Sequence, residues 1–349
     1  MRRAGCAPVR PLRAKDVIRV AESFMVTGSL GCIGAWVVRL LVREGTPVVS
    51  LDAGNDLHRP RLLLSPEEMD RVPWLKGDIT DLAGIEQVLD EHRVTNIIHL
   101  AALQMPFCKA NPPLGAAVNV LGTVNILEAA RRRADRVAPV VYAGSMAMFS
   151  AGDVDPETGL LPLDAVPHPP THYGVYKQAN EGNARLYWLE HGLPSVGLRP
   201  MTVLGPGRDQ GMTSGPTKAI LAAVVGRPFA IPFGGVTLYN YAADVARACL
   251  VASRTPVSGA LVVNLPGSRV DMPEVVATID AVIPGSGAGI TFGDQTLPFP
   301  SGFEVDPLSP LPPLEVTPFE EAVRATADLF RSATATGHFR PEEHGLPAS

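Results

Sequence analysis

Phe24-Met25-Val26-Thr27-Gly28-Ser29-Leu30-Gly31-Cys32-Ile33-Gly34 is the stretch on which the fold turns. Its opening apolar run reads as a short strand buried on both faces, which needs no polar alternation. After it, Ile33, Trp36, Val37, Leu40 and Leu41 recur on one helical face until Gly45 stops the helix. The glycines at 28, 31 and 34 lie between strand and helix. They permit a tight turn and let backbone N–H groups approach an anion, whose charge the helix N-terminus favours. Glycines at such spacing recur by chance, so the strand before them and the helix after them carry the reading.

The next strand, 48–52, ends on Asp52, eighteen positions after Gly34. A carboxylate there can accept hydrogen bonds from the ribose of a dinucleotide whose pyrophosphate sits on the glycine loop. It also repels a 2′-phosphate, so the expected cofactor is NAD, with NADP disfavoured. The alternative is that Asp52 merely caps a strand end. Arg59 and Arg61, a little downstream, could soften the preference for NAD. Gly77-Asp78-Ile79 follows a third strand, where Asp78 and Ile79 would line an adenine pocket, although an aspartate at a strand end is equally often a turn residue.

Short strand-like runs at 74–76, 96–100, 140–143 and 195–199 alternate with helical periodicity at 81–92, 113–132 and 173–191. That alternation specifies an α/β fold, a Rossmann doubly wound parallel sheet wrapped by helices. Beyond Pro200, Pro, Gly and polar residues become frequent, and helices at 216–225 and 272–281 are separated by irregular stretches. The expected organisation is an N-terminal extension (1–22), an NAD-binding domain (23–200, with 240–265 returning to it), a smaller interleaved substrate lobe (201–239 and 266–335) and a tail (336–349). Extension and tail are both expected to be loose. Thr317, Pro318 and Glu320 fit the N-cap, first-turn proline and capping-box partner of a last helix.

Composition narrows the function classes. The 349 residues carry a formal net charge of -5 spread along the chain, which offers no basic field for nucleic-acid phosphates. No apolar run approaches the roughly 20 residues that cross a bilayer, so no membrane contact is expected. Cys6, Cys32, Cys108 and Cys249 form no C-x-x-C pair and the 8 histidines show no ligand spacing, which points to reduced thiols and no metal. The basic N-terminus lacks the apolar segment of a secretory signal, so the cytoplasm is the expected compartment.

Tyr173-Gly174-Val175-Tyr176-Lys177 contains a Y-x-x-x-K spacing. Residues four apart share a helix face, so the Lys177 ammonium stands beside the Tyr173 phenol and favours phenolate. Tyr173 can then take the proton of a substrate hydroxyl. Tyr176 has the wrong spacing. Taken alone, such a pair is more often a surface contact; its place after the dinucleotide motifs singles it out.

Together, the glycine loop, the acidic end of the second strand, Gly77-Asp78, His99-Leu100-Ala101-Ala102 and Asn119 followed by Gly122-Thr123-x-Asn125 resemble the extended short-chain dehydrogenase/reductases, often described as NAD-dependent epimerase/dehydratases. The likeness spans 24–263; its motifs are specific for the family and poorly specific for substrate. It implies Ser145, Tyr173 and Lys177 as catalytic residues, Ser145 hydrogen-bonding the substrate oxygen and Lys177 also holding the nicotinamide ribose. It implies a cofactor site made of Gly28, Leu30, Gly31, Cys32, Ile33, Gly34, Asp52, Asp78, Ile79, Leu100, Ala101, Ala102, Asn119, Tyr173 and Lys177. Arg199-Pro200-Met201-Thr202-Val203 is similar to a family segment that packs on the nicotinamide, adding Pro200, Thr202 and Val203; a buried strand with a proline turn is the alternative. The resemblance also implies a homodimer joined through the helices at 113–132 and 173–191.

Family members that act on nucleotide sugars hold the diphosphate with an arginine shortly before a D-V-A-x-A helix. Here that helix begins at Asp244-Val245-Ala246, Thr237 stands at about the arginine position, and no Lys or Arg lies between Arg227 and Arg247. A diphosphate needs charge-assisted partners, so the pattern argues against a nucleotide-linked substrate. Arg208 remains as a cation near the expected cleft, either for a carboxylate or as a loop arginine in contact with Asp209 or solvent. Gln104, Tyr239 and Asn240 are candidate hydroxyl partners. Ser145 and Met146 border the same pocket, and Met146, Met148 and Phe149 make this stretch apolar, through a less polar substrate or through plain core packing.

Three functions follow. The leading one is an NAD-dependent oxidoreductase acting on a hydroxyl or ketone of a small substrate such as a sugar or sugar acid. The second is an NAD-dependent epimerase that oxidises a sugar or nucleotide sugar transiently. The third is a catalytically silent NAD-binding protein.

Overall fold

The structure, a computed structural model, describes residues 21–137, 139–304, 311–336 and 339–347. All but the last two positions of the expected N-terminal extension, Cys6 included, lie outside these residues. The strands are β1 (Phe24–Thr27), β2 (Val48–Asp52), β3 (Trp74–Lys76), β4 (Asn96–His99), β5 (Val140–Ala143), β6 (Ser195–Arg199), β7 (Thr202–Leu204), β8 (Phe229–Ile231), β9 (Val236–Tyr241), β10 (Ala260–Asn264), β11 (Ser268–Asp271) and β12 (Ile290–Phe292). The helices are α1 (Cys32–Glu44), α2 (His58–Leu63), α3 (Pro66–Met69), α4 (Leu82–Glu91), α5 (Met105–Ala110), α6 (Pro112–Ala116), α7 (Gly122–Arg131), α8 (His172–His191), α9 (Gly215–Val224), α10 (Ala242–Arg254), α11 (Met272–Val282) and α12 (Phe319–Ala335).

Seven strands form one sheet in the order β3-β2-β1-β4-β5-β6-β10, every pair parallel. Helices cover both faces, which is why β1 is buried along its whole length. Phe24 and Val26 point into a layer with Val37 and Leu41 of α1 and Ala246 and Leu250 of α10. Met25 points the other way, among Ile85 and Leu89 of α4 and Ile126 and Leu127 of α7. Strand order reverses between β1 and β4, and at such a switch point the connections diverge and leave a crevice at the carboxyl ends of the strands.

The second lobe has its own core, in which Ile220 and Leu221 of α9 meet Ile231, Val275, Ile279, Val323 and Phe330. A three-stranded sheet, β11-β9-β7, leads from one lobe to the other, while α10 packs on α1 and β10 closes the edge of the large sheet.

Three local readings are corrected. The expected helix at 113–132 is interrupted by a π-helical turn, Ala117–Leu121. Asn119 sits within it, and its side chain binds both the N–H and the carbonyl of Leu103 at 2.7 and 2.9 Å. Thr317 does not cap the last helix, because its hydroxyl donates to Asp244 at 2.8 Å instead. The tail is not loose over its described part. Leu346 fills the core of the second lobe, His344 is buried against Phe339, and Arg227 holds Glu342 at 2.9 Å. Among the described residues one helical span, Pro112–Arg131, is long and apolar enough to cross a membrane, and half of it is buried inside the fold.

Candidate active site

The glycine loop is shaped by close approach. Gly28 has φ 68°, and a Cβ there would fall 2.5 Å from the backbone nitrogen of Ala101. Only glycine lets the turn after β1 press against the end of β4, where Leu100, Ala101 and Ala102 lie half-buried. A Cβ at Gly34 would likewise meet the Gly28 carbonyl at 2.2 Å. No side chain caps the first turn of α1, so its N–H groups are free of competing acceptors. These features fit a dinucleotide pyrophosphate on the loop.

Asp52 accepts from the N–H of Leu30 and of Gly54, both at 3.0 Å, so it ties the glycine loop to the end of β2 with lone pairs to spare for a ribose. Arg59 does not soften the preference for NAD. Its guanidinium is held by Asp209 at 2.6 Å and by the Leu30 carbonyl at 3.1 Å. Asp78 is exposed and accepts from Thr80 N–H at 2.8 Å, the turn role weighed for it.

Several residues expected at the cofactor have side chains engaged within the fold. Ile79 turns into the core, where it packs on Gly122. Asn119 is buried on Leu103 and so shapes the loop after β4 from behind. Thr202 is fully buried with its hydroxyl 3.0 Å from that of Thr237, and Val203 joins the core of the large domain, while the half-buried Pro200 offers its carbonyl to Met146 N–H at 3.3 Å. Cys32 is a half-buried thiol pushed up to about 12 by burial, so it stays protonated.

Ser145, Tyr173 and Lys177 converge at the carboxyl end of β5. Lys177 is 4% exposed, donates to the Ala143 carbonyl at 2.7 Å and lies 5.6 Å from the Tyr173 ring centroid. Ser145 starts a short 3-10 turn, and its Oγ accepts from Ala147 N–H at 3.1 Å, which leaves its own proton for another acceptor. The N-terminus of α8 is fixed by Thr171, whose hydroxyl accepts from Gly174 N–H at 3.1 Å. A Cβ at Gly174 would fall 2.5 Å from the Ala147 carbonyl oxygen, so this glycine lets the helix bearing Tyr173 lie against the turn bearing Ser145. Further along α8, Glu181 receives Arg199 at 2.5 and 2.8 Å and pins the helix to β6.

His99 lies under this edge. Thr123 Oγ1 donates to the Asn119 carbonyl at 2.8 Å, so it accepts from His99 Nε2–H at 3.1 Å, and His99 Nδ1 then accepts from Thr27 Oγ1 at 2.7 Å. Burial, reinforced by the Lys177 charge, lowers its pKa to about 3 and keeps the ring neutral.

On the substrate side two candidates border Gly211 and three are buried within the fold. Arg208 does not pair with Asp209, whose carboxylate faces His58 at 2.8 Å and Arg59. Instead Arg208 donates to Thr213 Oγ1 at 3.0 Å, its buried Nε meets no acceptor, and it lies within electrostatic reach of Tyr173 and Cys32. Gln104 Oε1 and Arg208 Nη2 both border Gly211, where an added Cβ would touch each of them, and Gln104 Oε1 is also buried without a donor. Met146 is fully buried with Met148, Phe149 and Leu161, which settles that stretch as core. Tyr239 is 2% exposed against Phe319. Asn240 is spent on the backbone of Met201, Leu265 and Pro266. Thr213 and the Ala143 carbonyl had no sequence signal, since only the fold brings them to their partners. Thr171 could have been found as a cap one position before the helix.

A crevice at a parallel-sheet switch point beside a Tyr/Lys pair places the chain in the Rossmann class. The chain belongs to the NAD dependent epimerase/dehydratase family, whose model matches residues 24–265. UDP-glucuronate 4-epimerase 5 of Arabidopsis thaliana is 31% identical over 238 residues, covering 66% of this chain and 54% of that protein. The chain spans about half the length of the curated relatives it matches. The crystal structure of Thermus thermophilus UDP-glucose 4-epimerase complexed with NAD superposes with TM-score 0.73 at 26% identity, covering 89% of this chain and 99% of that one. L-threonine dehydrogenase from Clostridium difficile, at 18% identity and TM-score 0.77 over 91% and 99% of the chains, shares the fold.

Proposed function

We propose that this chain oxidises or reduces a carbinol carbon of a small carboxylate-bearing substrate through Ser145, Tyr173 and Lys177. NAD, when bound, supplies the hydride acceptor. In the oxidative direction Tyr173 Oη takes the hydroxyl proton of the substrate while Ser145 donates to the same oxygen. Lys177, anchored on Ala143, keeps two N–H donors and stands beside the phenol that accepts the proton.

The observation that carries the substrate class is Arg208. A half-buried guanidinium whose Nε is buried without an acceptor, and which has no carboxylate partner among the described residues, is suited to a ligand that supplies one, and a carboxylate matches its fork. The position that would hold a diphosphate has Thr237, buried and bonded to Thr202, which supports a substrate not linked to a nucleotide. Net NADH formation with free sugar acids, lost in Arg208→Gln through a KM rise of roughly 10- to 100-fold with kcat little changed, is the expected result. Equal activity of the variant would refute the assignment.

The names of the relatives favour a second reading, an epimerase acting on a UDP-sugar acid, which would use Arg208 in the same way. An epimerase inverts its substrate with no net NADH, so following both products separates the readings. Absence of either product over sugar acids and UDP-glucuronate would leave the silent NAD-binding reading.

The reading includes a homodimer. Leu121 at the junction with α7, and Val175, Leu186 and Leu189 of the adjacent α8, are 43–62% exposed, an apolar face suited to a second copy. Leu186→Glu should give a monomer in sedimentation; an unchanged oligomer would place the contact elsewhere. Cys32, Cys108 and Cys249 are free thiols, which supports the cytoplasm as the compartment.

A further inference from the structure

A cavity of about 1050 Å³, partly open to solvent, lies between α1, α2, α12 and the tail, and none of the glycine-loop residues, Ser145, Tyr173 or Lys177 lines it. Its walls combine Trp36 and Arg39 of α1, Arg61 and Leu62 of α2, Leu329 of α12 and Phe339. Three carboxylates border it, and each faces a basic side chain. Asp56 lies 2.8 Å from His58, Asp328 2.8 Å from Arg331, and Glu343 3.9 Å from Arg340. Arg39 and Arg61 are different. Among the described residues neither is paired with a carboxylate, and Glu68, which acts on Arg39 from a distance, is already bound to Arg43 at 3.0 Å. Arg39 is half-buried with its guanidinium 4.8 Å from the Trp36 ring centroid, and burial lowers its pKa.

We propose that this cavity is a second ligand site, binding a small organic phosphate whose dianionic head meets Arg39 and Arg61 and whose apolar body lies against Leu62, Leu329 and Phe339. A dianion can take both guanidiniums, that of the half-buried Arg39 and that of the exposed Arg61, whereas a monocarboxylate leaves one of them without a carboxylate or phosphate partner. The cavity is of ligand-binding size, at the upper end of the range of about 300–1,000 Å³ seen for small-molecule pockets. Its wall also holds the loop that carries Arg208. Trp36 Nε1 donates to the Pro206 carbonyl at 3.0 Å, and His58 binds Asp209 at 2.8 Å. An occupant is therefore placed to reach the substrate side of the cleft.

The test is calorimetric titration of the full chain, saturated with NAD so that the pyrophosphate site is closed, with phenyl phosphate and separately with benzoate. Phenyl phosphate should bind once per chain, and benzoate roughly tenfold more weakly or less. The Arg39→Gln/Arg61→Gln double variant should lose roughly tenfold or more in affinity for phenyl phosphate. Ala333→Trp, which fills the cavity without changing its charge, should abolish binding while thermal melting reports an intact fold. No binding to the wild type, equal affinity for benzoate, or unchanged affinity in the double variant would overturn the proposal.

Discussion

Replacing Gly174 by alanine tests whether the contact between α8 and the Ser145 turn sets the geometry of the site. The added Cβ would lie 2.5 Å from the Ala147 carbonyl oxygen and 2.8 Å from Pro169 Cβ. Ordinary contact begins at about 3.4 Å, so turn and helix must separate by about 0.9 Å, and the near neighbour is backbone rather than a side chain that can rotate away. Ser145 moves with the turn, because its Oγ is tied to Ala147 N–H. Misplacing a reacting group by about 1 Å costs on the order of 100-fold in rate, or about 2.7 kcal/mol of barrier. Stability should change less, since overpacking costs about 1–3 kcal/mol while alanine gains about 1 kcal/mol over glycine within a helix. The assay compares kcat, NAD affinity by calorimetry and thermal melting for wild type and Gly174→Ala. A kcat within threefold of wild type would refute the geometric argument. Loss of NAD binding in parallel with kcat would mean general damage and refute it equally.

Lys177→Met keeps the length of the side chain but removes its charge and its bond to Ala143; turnover should fall by roughly 100- to 10,000-fold, with Ser145 and Tyr173 still in place by crystallography. The pH dependence of stability should carry the signature of His344. Burial, then the charge of His58, lowers its folded pKa to about 4, with Asp209 and Asp56 opposing and Arg59 reinforcing the shift. A cationic group with a depressed folded pKa contributes stability that is present above its unfolded pKa of about 6.5 and lost as pH falls toward the folded value, here roughly 3 kcal/mol between about pH 6.5 and 4. His344→Phe should flatten that slope in urea melts across the window, and an unchanged slope would disprove the tail's part in it.

What the sequence makes legible is what short segments settle among themselves. The glycine loop, Asp52 and the Tyr173/Lys177 pair each depend on one strand, one turn or one helix, and the parallel sheet follows from the alternation of such units. Readings failed where a side chain is claimed by a distant partner. Thr317 has the composition of a cap but is seventy-three positions from the Asp244 carboxylate that takes its hydroxyl. Asn240 and Tyr239 stand on a strand beside the cleft, yet the antiparallel pairing of β9 with β11 and the packing of Phe319 turn them inward. The tail looked solvated from its Pro, His and Glu content, and only the surface left open by α9 and α12 gives Leu346 a place to bury.

Arg208 and Asp209 show how the same rule acts on function. Neighbours of opposite charge in a half-buried loop would pair by default, and a paired Arg208 could not receive a ligand. They do not pair, because Arg59 grips both oxygens of Asp209, at distances of 2.6 to 3.1 Å, and His58 adds a further bond at 2.8 Å. On the proposed reading Arg59 is a positioning residue that holds the Asp209 carboxylate away from Arg208. Arg59→Ala should release Asp209 toward Arg208 and raise KM for a carboxylate substrate by roughly tenfold with kcat little changed, measured at saturating NAD because Arg59 also holds the Leu30 carbonyl. Adding Asp209→Asn to Arg59→Ala removes the competing carboxylate and should restore KM. That recovery decides between sequestration of Arg208 and simple loss of structure, since a loop collapsed by the loss of Arg59 would gain nothing from losing Asp209 as well.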